Sequence, residues 1–377
     1  MKYKIFLFVI LFVLTGHLIA GSEFTGIFTL INPSATTIAF GNESGTAYIW
    51  GNNPLNSWSN PALLAYNDCL SWGWSRDPWF EDIIGGMYVN SSYLSYANQD
   101  FGILIPTINA SSKFGTTCDY GEQTAYDSNG NLVGTFNSYE TCSRFAIAKK
   151  LFHYNILRNK GNSDSFTLSA GYDFRYIFSN LCPIVIDSLD REIGHGTMHG
   201  LGFLGHYIHN QRLSSKNSFL IFEATAGYYQ MNLFKSELSY PSATWPLPYG
   251  NRLGVTGKVS YNFENIASIP IPFLQENISI CYVYDTQKLG EWESEWSSGF
   301  EFGFFNTLFL RWGEYHDEQG HIEGNTSGVG IKLNFNNVVN FEYNYATFPG
   351  GELQAEQRKN DLIVSVDLMK VFRKKIR

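Results

Sequence analysis

Strict alternation of apolar and polar residues over long stretches is the feature that most limits how this chain can fold. In residues 167–178 the apolar set shares one face and the polar set shares the other, and residues 253–263, 329–336 and 339–345 repeat the pattern. Successive side chains of a β-strand point to opposite faces, so each stretch has one apolar and one polar side. The longest stretches exceed the five or six residues usual in globular strands and match the roughly 9–11 residues of a tilted transmembrane strand.

Composition favours the same interpretation. Aromatic residues make up 16% of the chain and charged residues only 16%, against roughly 25% charged residues in soluble domains. No run of 18 apolar residues is present, so helical membrane spans are not expected, and a net charge of −8 argues against nucleic-acid binding. The sequence predicts an all-β transmembrane antiparallel barrel, and the alternative is a soluble exported β-sandwich that acts as a binding protein. Aromatic residues near the strand ends suit interfacial girdles: Tyr176, Phe178, Trp292, Trp296 and Trp312.

The first 20 residues have the pattern of a secretory signal peptide. A short cationic start is followed by an apolar run from Ile5 to Leu14 and by the small residues Gly16, Ala20 and Gly21. The run is shorter than the about 20 apolar residues that a membrane anchor needs. No cysteine lies near the expected cut after Ala20, which argues against a lipoprotein. We therefore expect export to the cell outer membrane.

Counting the alternating stretches gives the expected size of the barrel. Closed bacterial barrels prefer even strand numbers, so a further strand is expected in the ambiguous stretch 179–215, for about fourteen in total. The predicted strands are 68–76, 85–97, 99–106, 140–152, 165–178, 217–231, 252–263, 276–287, 296–305, 306–314, 326–336, 338–346 and 360–372.

The segment 21–65 has a different character from the strands. Proline, glycine and asparagine clusters at 32–34, 51–54 and 59–64 interrupt any alternation. Irregular backbone at membrane depth must be buried in protein or wetted by a cavity, so this segment is expected to plug the lumen. The predicted organisation is a signal peptide at 1–20, a hatch or plug at 21–65, a barrel at 66–372 and a basic tail at 373–377.

Motifs at both ends of the chain resemble those of a known family. Residues 32–41 read Asn-Pro-Ser-Ala-Thr-Thr-Ile-Ala-Phe-Gly, and residues 58–64 read Trp-Ser-Asn-Pro-Ala-Leu-Leu. With 246–254, 308–313, 328–333 and 341–346, they resemble the PorV/PorQ family of barrels related to the FadL long-chain fatty-acid transporters. The chain departs from the family pattern at Ser59, which is an intrusion, at Leu63, which replaces a glycine, and at Glu342, which replaces the usual aspartate.

The resemblance implies a FadL-like barrel of about fourteen strands with an N-terminal hatch. It also implies a non-enzymatic role as accessory or shuttle for type IX protein secretion, without a cofactor. The alternative is passive FadL-like transport of hydrophobic small molecules. The expected partners are outer-membrane lipid, the barrel-assembly machinery, and a hydrophobic ligand or secreted cargo. Such barrels usually end on an aromatic residue, whereas here five residues follow Phe372. The hatch-motif residues are Asn32, Pro33, Gly41, Asn60, Pro61 and Ala62.

A run of histidines and glycines is the stretch of the sequence that suggests metal chemistry. His195 and His199 have the i, i+4 spacing of two zinc ligands on a helix, and His206 and His209 follow. The general base of a metalloprotease would fall on Gly196, which has no side chain, so hydrolysis by this motif is excluded. Metal binding by the four histidines stays an alternative to a glycine-rich loop or strand pair.

The five cysteines are scattered, at 69, 118, 142, 182 and 281, and form no disulfide framework. Cys118 and Cys142 flank a polar, hairpin-like stretch and are the candidates for one disulfide. The carboxylates at 187, 190, 192, 291, 293 and 295 lie in loops or at strand ends, and the sequence contains no serine-hydrolase elbow or phosphate loop.

Overall fold

The structure, a computed structural model, describes residues 24–41, 45–78, 86–98, 100–127, 129–157, 162–184, 191–213, 218–262, 277–317, 322–335, 338–350 and 356–375. The signal peptide predicted at 1–20 lies outside the described residues. The strands are β1 (Leu70–Pro78), β2 (Tyr88–Ala97), β3 (Phe101–Pro106), β4 (Gly115–Tyr126), β5 (Leu132–Leu157), β6 (Ser163–Cys182), β7 (Glu192–Leu213), β8 (Ser218–Met231), β9 (Glu237–Ser239), β10 (Thr244–Pro246), β11 (Gly250–Asn262), β12 (Asn277–Leu289), β13 (Glu295–Phe304), β14 (Leu308–Asp317), β15 (Ile322–Phe335), β16 (Val339–Pro349) and β17 (Glu356–Val366). The α-helices are α1 (Ala35–Ile38) and α2 (Leu368–Lys375), and 3₁₀ turns span Ile27–Leu30, Pro54–Trp58 and Pro61–Tyr66.

The strands close into an antiparallel barrel. The first strand, β1, pairs with β2 on one side and with the last strand, β17, on the other. β3 and β4 share one strand position in the wall, between β2 and β5. β9 and β10 form a small hairpin, and β9 pairs with His195 and Gly196 near the start of β7. The wall therefore has fourteen strand positions. The barrel of about fourteen strands is confirmed, and β7 is the strand expected within 179–215. β4 was missed, because its sequence is too polar to show the alternation.

The two ends of the barrel differ in their connections. At one end β2 and β3, β13 and β14, and β15 and β16 are each joined by three residues, although β11 and β12 are joined there by 14, and at the other end longer connections join β6 to β7 and β8 to β11. In bacterial membrane barrels short turns lie on the periplasmic side and longer loops on the outside. We call these the short-turn end and the long-loop end.

The outer surface of the wall is apolar. Burial alternates along most strands, and the exposed positions carry large apolar side chains. A closed barrel buries its other face in the lumen, so this outer belt has no protein partner within the described chain and suits a lipid environment. The belt on β6 and β12 consists of Phe166, Leu168, Tyr172, Tyr176, Ile278, Ile280, Tyr282 and Tyr284.

The C-terminal end differs from the prediction of a last strand at 360–372. β17 ends at Val366, and α2 follows from Leu368 to Lys375. The Asp367 carboxylate accepts a hydrogen bond from the backbone N–H of Lys370 (3.0 Å), which caps the helix. The predicted end of the last strand at Phe372 was therefore wrong. The alternation of apolar residues in 362–368 does not show that Asp367 caps a helix. No helix among the described residues is long and apolar enough to cross a bilayer.

The suggested disulfide between Cys118 and Cys142 does not form. Both residues are buried free thiols, and in the ladder Cys118 lies opposite Glu140 while Cys142 lies opposite Thr116. The polar stretch between them is the β4–β5 hairpin rather than a loop that a disulfide would close.

We therefore expect a reducing agent to leave the unfolding midpoint of the barrel unchanged. A disulfide closing a loop of this length would contribute about 3 kcal/mol. Denaturant titration of the detergent-solubilised protein with and without dithiothreitol measures this, with Cys118→Ser as the matched variant. A lower midpoint in the reducing sample would show that the two thiols pair.

Candidate functional site: a plugged lumen

The N-terminal segment lies inside the barrel. Phe24 packs against Tyr249 and Trp292 at the long-loop end (ring centroids 5.3 and 5.2 Å), and Asn67 leads into β1 at the short-turn end. Most side chains between them are buried against the wall. We call the described residues within 24–67 the plug.

Short caps fold the plug locally. The Asn53 Oδ1 atom accepts from the N–H of Leu55 (2.9 Å), and the Asn60 Oδ1 atom accepts from the N–H of Ala62 (3.0 Å). A proline follows each asparagine and occupies the first turn, where its missing N–H costs nothing. The Asn-Pro steps that prevent strands in the sequence therefore start tight 3₁₀ turns.

The predicted hatch-motif residues lie within the plug, at its contacts with itself and the wall. The Asn60 amide also donates to the carbonyls of Thr46 (3.0 Å) and Phe203 (3.1 Å), which joins the plug to β7. The Asn32 amide donates to Ser59 Oγ (3.1 Å). Gly41 has φ +103°, and a side chain there would overlap the backbone of Glu314. Pro33 is buried just before α1, and Pro61 and Ala62 begin the last 3₁₀ turn.

A buried charge cluster on β5 and β6 holds one side of the plug. The Asp173 carboxylate accepts from Arg144 Nε (2.7 Å) and from Arg175 Nε (2.9 Å). Arg144 donates onward to the Ser57 carbonyl (2.7 Å), and the Arg175 guanidinium lies 4.3 Å from the ring centroid of Trp58. The wall therefore binds plug carbonyls and an aromatic face with two cations that share one anion.

Wall carboxylates hold the backbone of the opposite side of the plug. Asp285 on β12 accepts from the N–H groups of Gly45 and Thr46 (both 3.0 Å). Asp361 on β17 accepts from the N–H of Ala35 (2.9 Å) and from the Asn53 amide (3.1 Å). Hydrogen bonds to a charged group contribute about 1.5–3 kcal/mol each, so these contacts fix the plug firmly.

Inward-facing glycines make room for the plug. A side chain at Gly313 would overlap the carbonyl of Phe40 (2.6 Å), one at Gly299 the Cα of Phe40 (2.8 Å), and one at Gly202 the Pro61 ring (3.0 Å). The plug and the wall therefore approach at backbone distance at these positions. The cavity lined by Tyr48, Asn56, Leu63 and neighbouring plug residues has a volume of about 10 Å³, room for about one water molecule.

A buried apolar cluster lies between the plug and the strands β2, β3 and β5. Trp58 and Leu64 of the plug belong to one buried apolar cluster with Tyr93, Leu104 and Cys142 of the wall. Tyr93 and Trp58 are in ring contact (6.3 Å), and Leu104 and Cys142 lie on β3 and β5. Asp285 and Asp361 lie on other strands, whereas Arg144 of the charge cluster lies on β5, beside this apolar cluster.

Beside this cluster the ladder between β5 and its neighbours β3 and β4 is broken at residues 143–145, while β2 stays paired, with Tyr93 opposite Pro106 and Ser92 opposite Gly115. Between Pro106 and Gly115 the chain leaves the wall. A hydrogen bond from the N–H of Gly115 to the carbonyl of Thr107 (3.0 Å) joins the two ends of this segment. We call residues 107–114 the excursion. The Asn90 amide donates to Ser111 Oγ (3.0 Å), so the excursion covers a polar part of the outer face of β2. Its Ile108 and Phe114 side chains are exposed.

The four histidines are not brought together. They lie on β7, a strand rather than the helix that a zinc motif needs, so His195 and His199 are four residues apart along an extended chain. No group of three potential metal ligands occurs among the described residues. His206 faces the lumen, and the other three histidines face outwards. Three of the four have a different hydrogen-bond partner each: Tyr172 Oη for His199 (2.6 Å), Glu223 Oε2 for His206 (3.0 Å) and Asp164 Oδ1 for His209 (2.6 Å).

Sequence reasoning missed the wall residues that hold the plug. Asp173 and Arg175 are visible as charges on the polar face of an alternating strand. A charged residue on the lumen side of a predicted barrel strand is the sequence signal that could have found them. The spacing of residues in the sequence does not show which plug residue such a charge contacts.

No protein-family model matches the sequence, and no curated protein matches it. Among solved structures, the chain is similar to the Pseudomonas putida toluene transporter TodX, with a TM-score of 0.42 and 13% identity over 93% of this chain and 100% of that chain. It is also similar to the Ralstonia pickettii toluene transporter TbuX (0.38, 10%, 90% and 98%) and to a Pseudomonas aeruginosa FadL homologue (0.33, 8%, 93% and 100%). No sequence comparison supports the PorV/PorQ resemblance.

Proposed function

We propose that the chain is a non-enzymatic outer-membrane barrel that lets small hydrophobic molecules pass through its wall. The observation that carries this is that the chain leaves the wall between β3 and β4, where the ladder to β5 is broken, beside a buried apolar cluster of the lumen. A molecule that partitions into lipid reaches the excursion directly from the outer belt. Passage needs no covalent chemistry, because it follows the gradient of the molecule.

The plug makes axial diffusion the less favourable route. Asp285, Asp361 and the Arg144–Asp173–Arg175 cluster hold it from different strands. Displacing the whole plug requires breaking all of these contacts. Opening the excursion breaks its hydrogen bonds to β2, β4 and β5, which join neutral groups and contribute about 0.5–1.5 kcal/mol each.

The role in type IX secretion that was expected first is the runner-up. It rests on the motifs at 32–41 and 58–64, and these motifs are used here to fold the plug and join it to the wall. A plug serves a small-molecule route as well as a secretion accessory, so the motifs do not favour secretion.

The test is to lock the excursion. Asn90→Cys with Ser111→Cys replaces a 3.0 Å hydrogen bond between β2 and the excursion by a disulfide. In a diderm host that lacks its own hydrocarbon channel, we expect oxidation to lower the initial uptake of radiolabelled toluene at least about fivefold, as for other gated steps. Dithiothreitol should restore it.

The matched control is Ser327→Cys with Thr347→Cys, which joins two outer-face hydroxyls 3.0 Å apart on β15 and β16. Its oxidation should leave uptake unchanged. Equal uptake by the locked and reduced excursion would remove the lateral route. Loss of secreted proteins from a deletion strain, together with unchanged toluene uptake, would favour the secretion role.

A further inference from the structure

The helix that follows the last strand, α2 (Leu368–Lys375), is amphipathic in sequence. Basic residues at 370, 373 and 374 recur three or four positions apart, and apolar residues at 368, 369, 371 and 372 do the same. Positions at these spacings lie on one side of a helix, so α2 has a basic side and an apolar side. The helix contains no acidic residue, although the whole chain has a net charge of −8.

This helix begins at the rim of the apolar outer belt. In the last rung of the ladder Val366 lies opposite Val339, and Val339 lies opposite Phe335. Phe335 is exposed on the outer face and makes an edge-to-face contact with Phe341 (ring centroids 5.6 Å), so the belt extends to this rung. The helix starts two residues after Val366, at the short-turn end, which faces the periplasm in bacterial barrels. Its backbone therefore starts at the depth where the acyl chains of that leaflet give way to headgroups.

The start of α2 is fixed to the wall. The N–H of Asp367 donates to the Val338 carbonyl just before β16 (2.8 Å), and the N–H of Val371 donates to the Asp367 carbonyl (3.2 Å). The Asp367 carboxylate accepts from the N–H of Lys370 (3.0 Å) and lies 3.1 Å from its Nζ atom. The barrel does not cover the apolar side of the helix, because Met369 is 61% exposed. The chain therefore holds α2 at the rim of the belt with apolar surface still open.

We propose that α2 lies in the headgroup region of the periplasmic leaflet and binds anionic phospholipids. An interfacial helix buries its apolar side at the boundary of the acyl chains and keeps its basic side among the headgroups. Since α2 has four basic residues and no acidic one, its charge stays positive after Lys370 pairs with Asp367. Each basic residue near an anionic surface strengthens such binding by about fivefold. The bilayer is the partner because the lipid-facing belt ends where the helix begins.

A fluorophore on α2 tests this in the full-length barrel. Met369→Cys is labelled with the environment-sensitive dye NBD in a Cys182→Ser background, because the other four cysteines are buried. The protein is placed in nanodiscs of phosphatidylcholine alone or of equal parts of phosphatidylcholine and phosphatidylglycerol. We expect at least about twofold stronger NBD emission in the anionic discs, and quenching there by lipids that carry a nitroxide on the acyl chain. High salt should reduce the difference between the two lipids, because it screens the headgroup charge.

Arg373→Glu with Lys374→Glu reverses two charges of α2 and should abolish the difference between the two lipids. The matched control, Lys149→Glu with Arg212→Glu, reverses two exposed charges at the same end of the barrel and should keep it. Equal NBD emission in the two lipids, no quenching by the acyl-chain nitroxide, or shielding of NBD only after peptidoglycan is added would each overturn the proposal. The lipid comparison uses one protein, so it does not depend on how a variant folds. None of these measurements depends on toluene uptake, so the two proposals fail separately.

Discussion

Asp173→Asn is expected to destabilise the barrel by about 3–5 kcal/mol, the usual cost of removing one partner from a buried ion pair. The Asp173 carboxylate lies between two guanidinium groups, at 2.7 Å from Arg144 Nε and 2.9 Å from Arg175 Nε, and all three side chains are buried. Without it two cations repel each other at the surface that holds Ser57 and Trp58. Denaturant unfolding in lipid bilayers, followed by tryptophan fluorescence, measures the loss.

The same substitution should loosen the plug, because Arg144 and Arg175 hold it through their contacts with Ser57 and Trp58. We expect ion-conducting openings in planar bilayers that the wild type does not show. Asp127→Asn, which neutralises a partly exposed carboxylate in the β4–β5 turn, is the control and should change neither the unfolding midpoint nor the conductance. An unchanged midpoint and a silent bilayer for Asp173→Asn would show that the cluster does not hold the plug.

Gly313→Leu is expected to prevent the plug from seating. Even a Cβ atom at this position would overlap the carbonyl of Phe40 (2.6 Å), and the backbone of the plug cannot rotate away as a side chain would. Overpacking of a filled interior costs typically about 1–3 kcal/mol and more where backbone must shift. We expect steady conductance in planar bilayers and faster proteolysis within residues 24–67, while the strands of the barrel stay folded.

Gly257→Leu is the matched control, since a side chain there meets no atom within 4 Å on the outer face of β11. It should resemble the wild type in conductance and in proteolysis. If the Gly313→Leu variant also showed no conductance and resisted proteolysis within residues 24–67, the plug would not pack against β14 as described.

The barrel was predictable because its signal is local. Alternation along β6, β11, β15 and β16 follows from the pleat of each strand, and it does not depend on which strand lies beside it. The end of β17 was predicted wrongly, because Asp367 caps a helix by accepting a hydrogen bond from the N–H of Lys370, although the apolar alternation continues past Val366. β4 escaped notice because hydrogen bonds to β2 and β5, rather than its own apolar residues, fix it as a strand.

The plug was predictable in part. Asn-Pro steps at Asn53 and Asn60 forbid strands by removing backbone donors, and this is visible in one sequence. The position of these Asn-Pro steps in the lumen and the residues that they contact are not visible in the sequence. Arg144 and Asp173 are 29 residues apart, and Arg175 and Thr29 are 146 apart, so spacing cannot pair them.

The sequence by itself determined that this chain builds amphipathic strands and begins with an irregular segment that a lumen can bury. Only the tertiary structure decided that Asp173 bridges Arg144 and Arg175 and that the chain leaves the wall between Pro106 and Gly115. The physical reason is that alternation is set within each strand, whereas the lumen contacts and the excursion depend on how distant strands are staggered when the sheet closes.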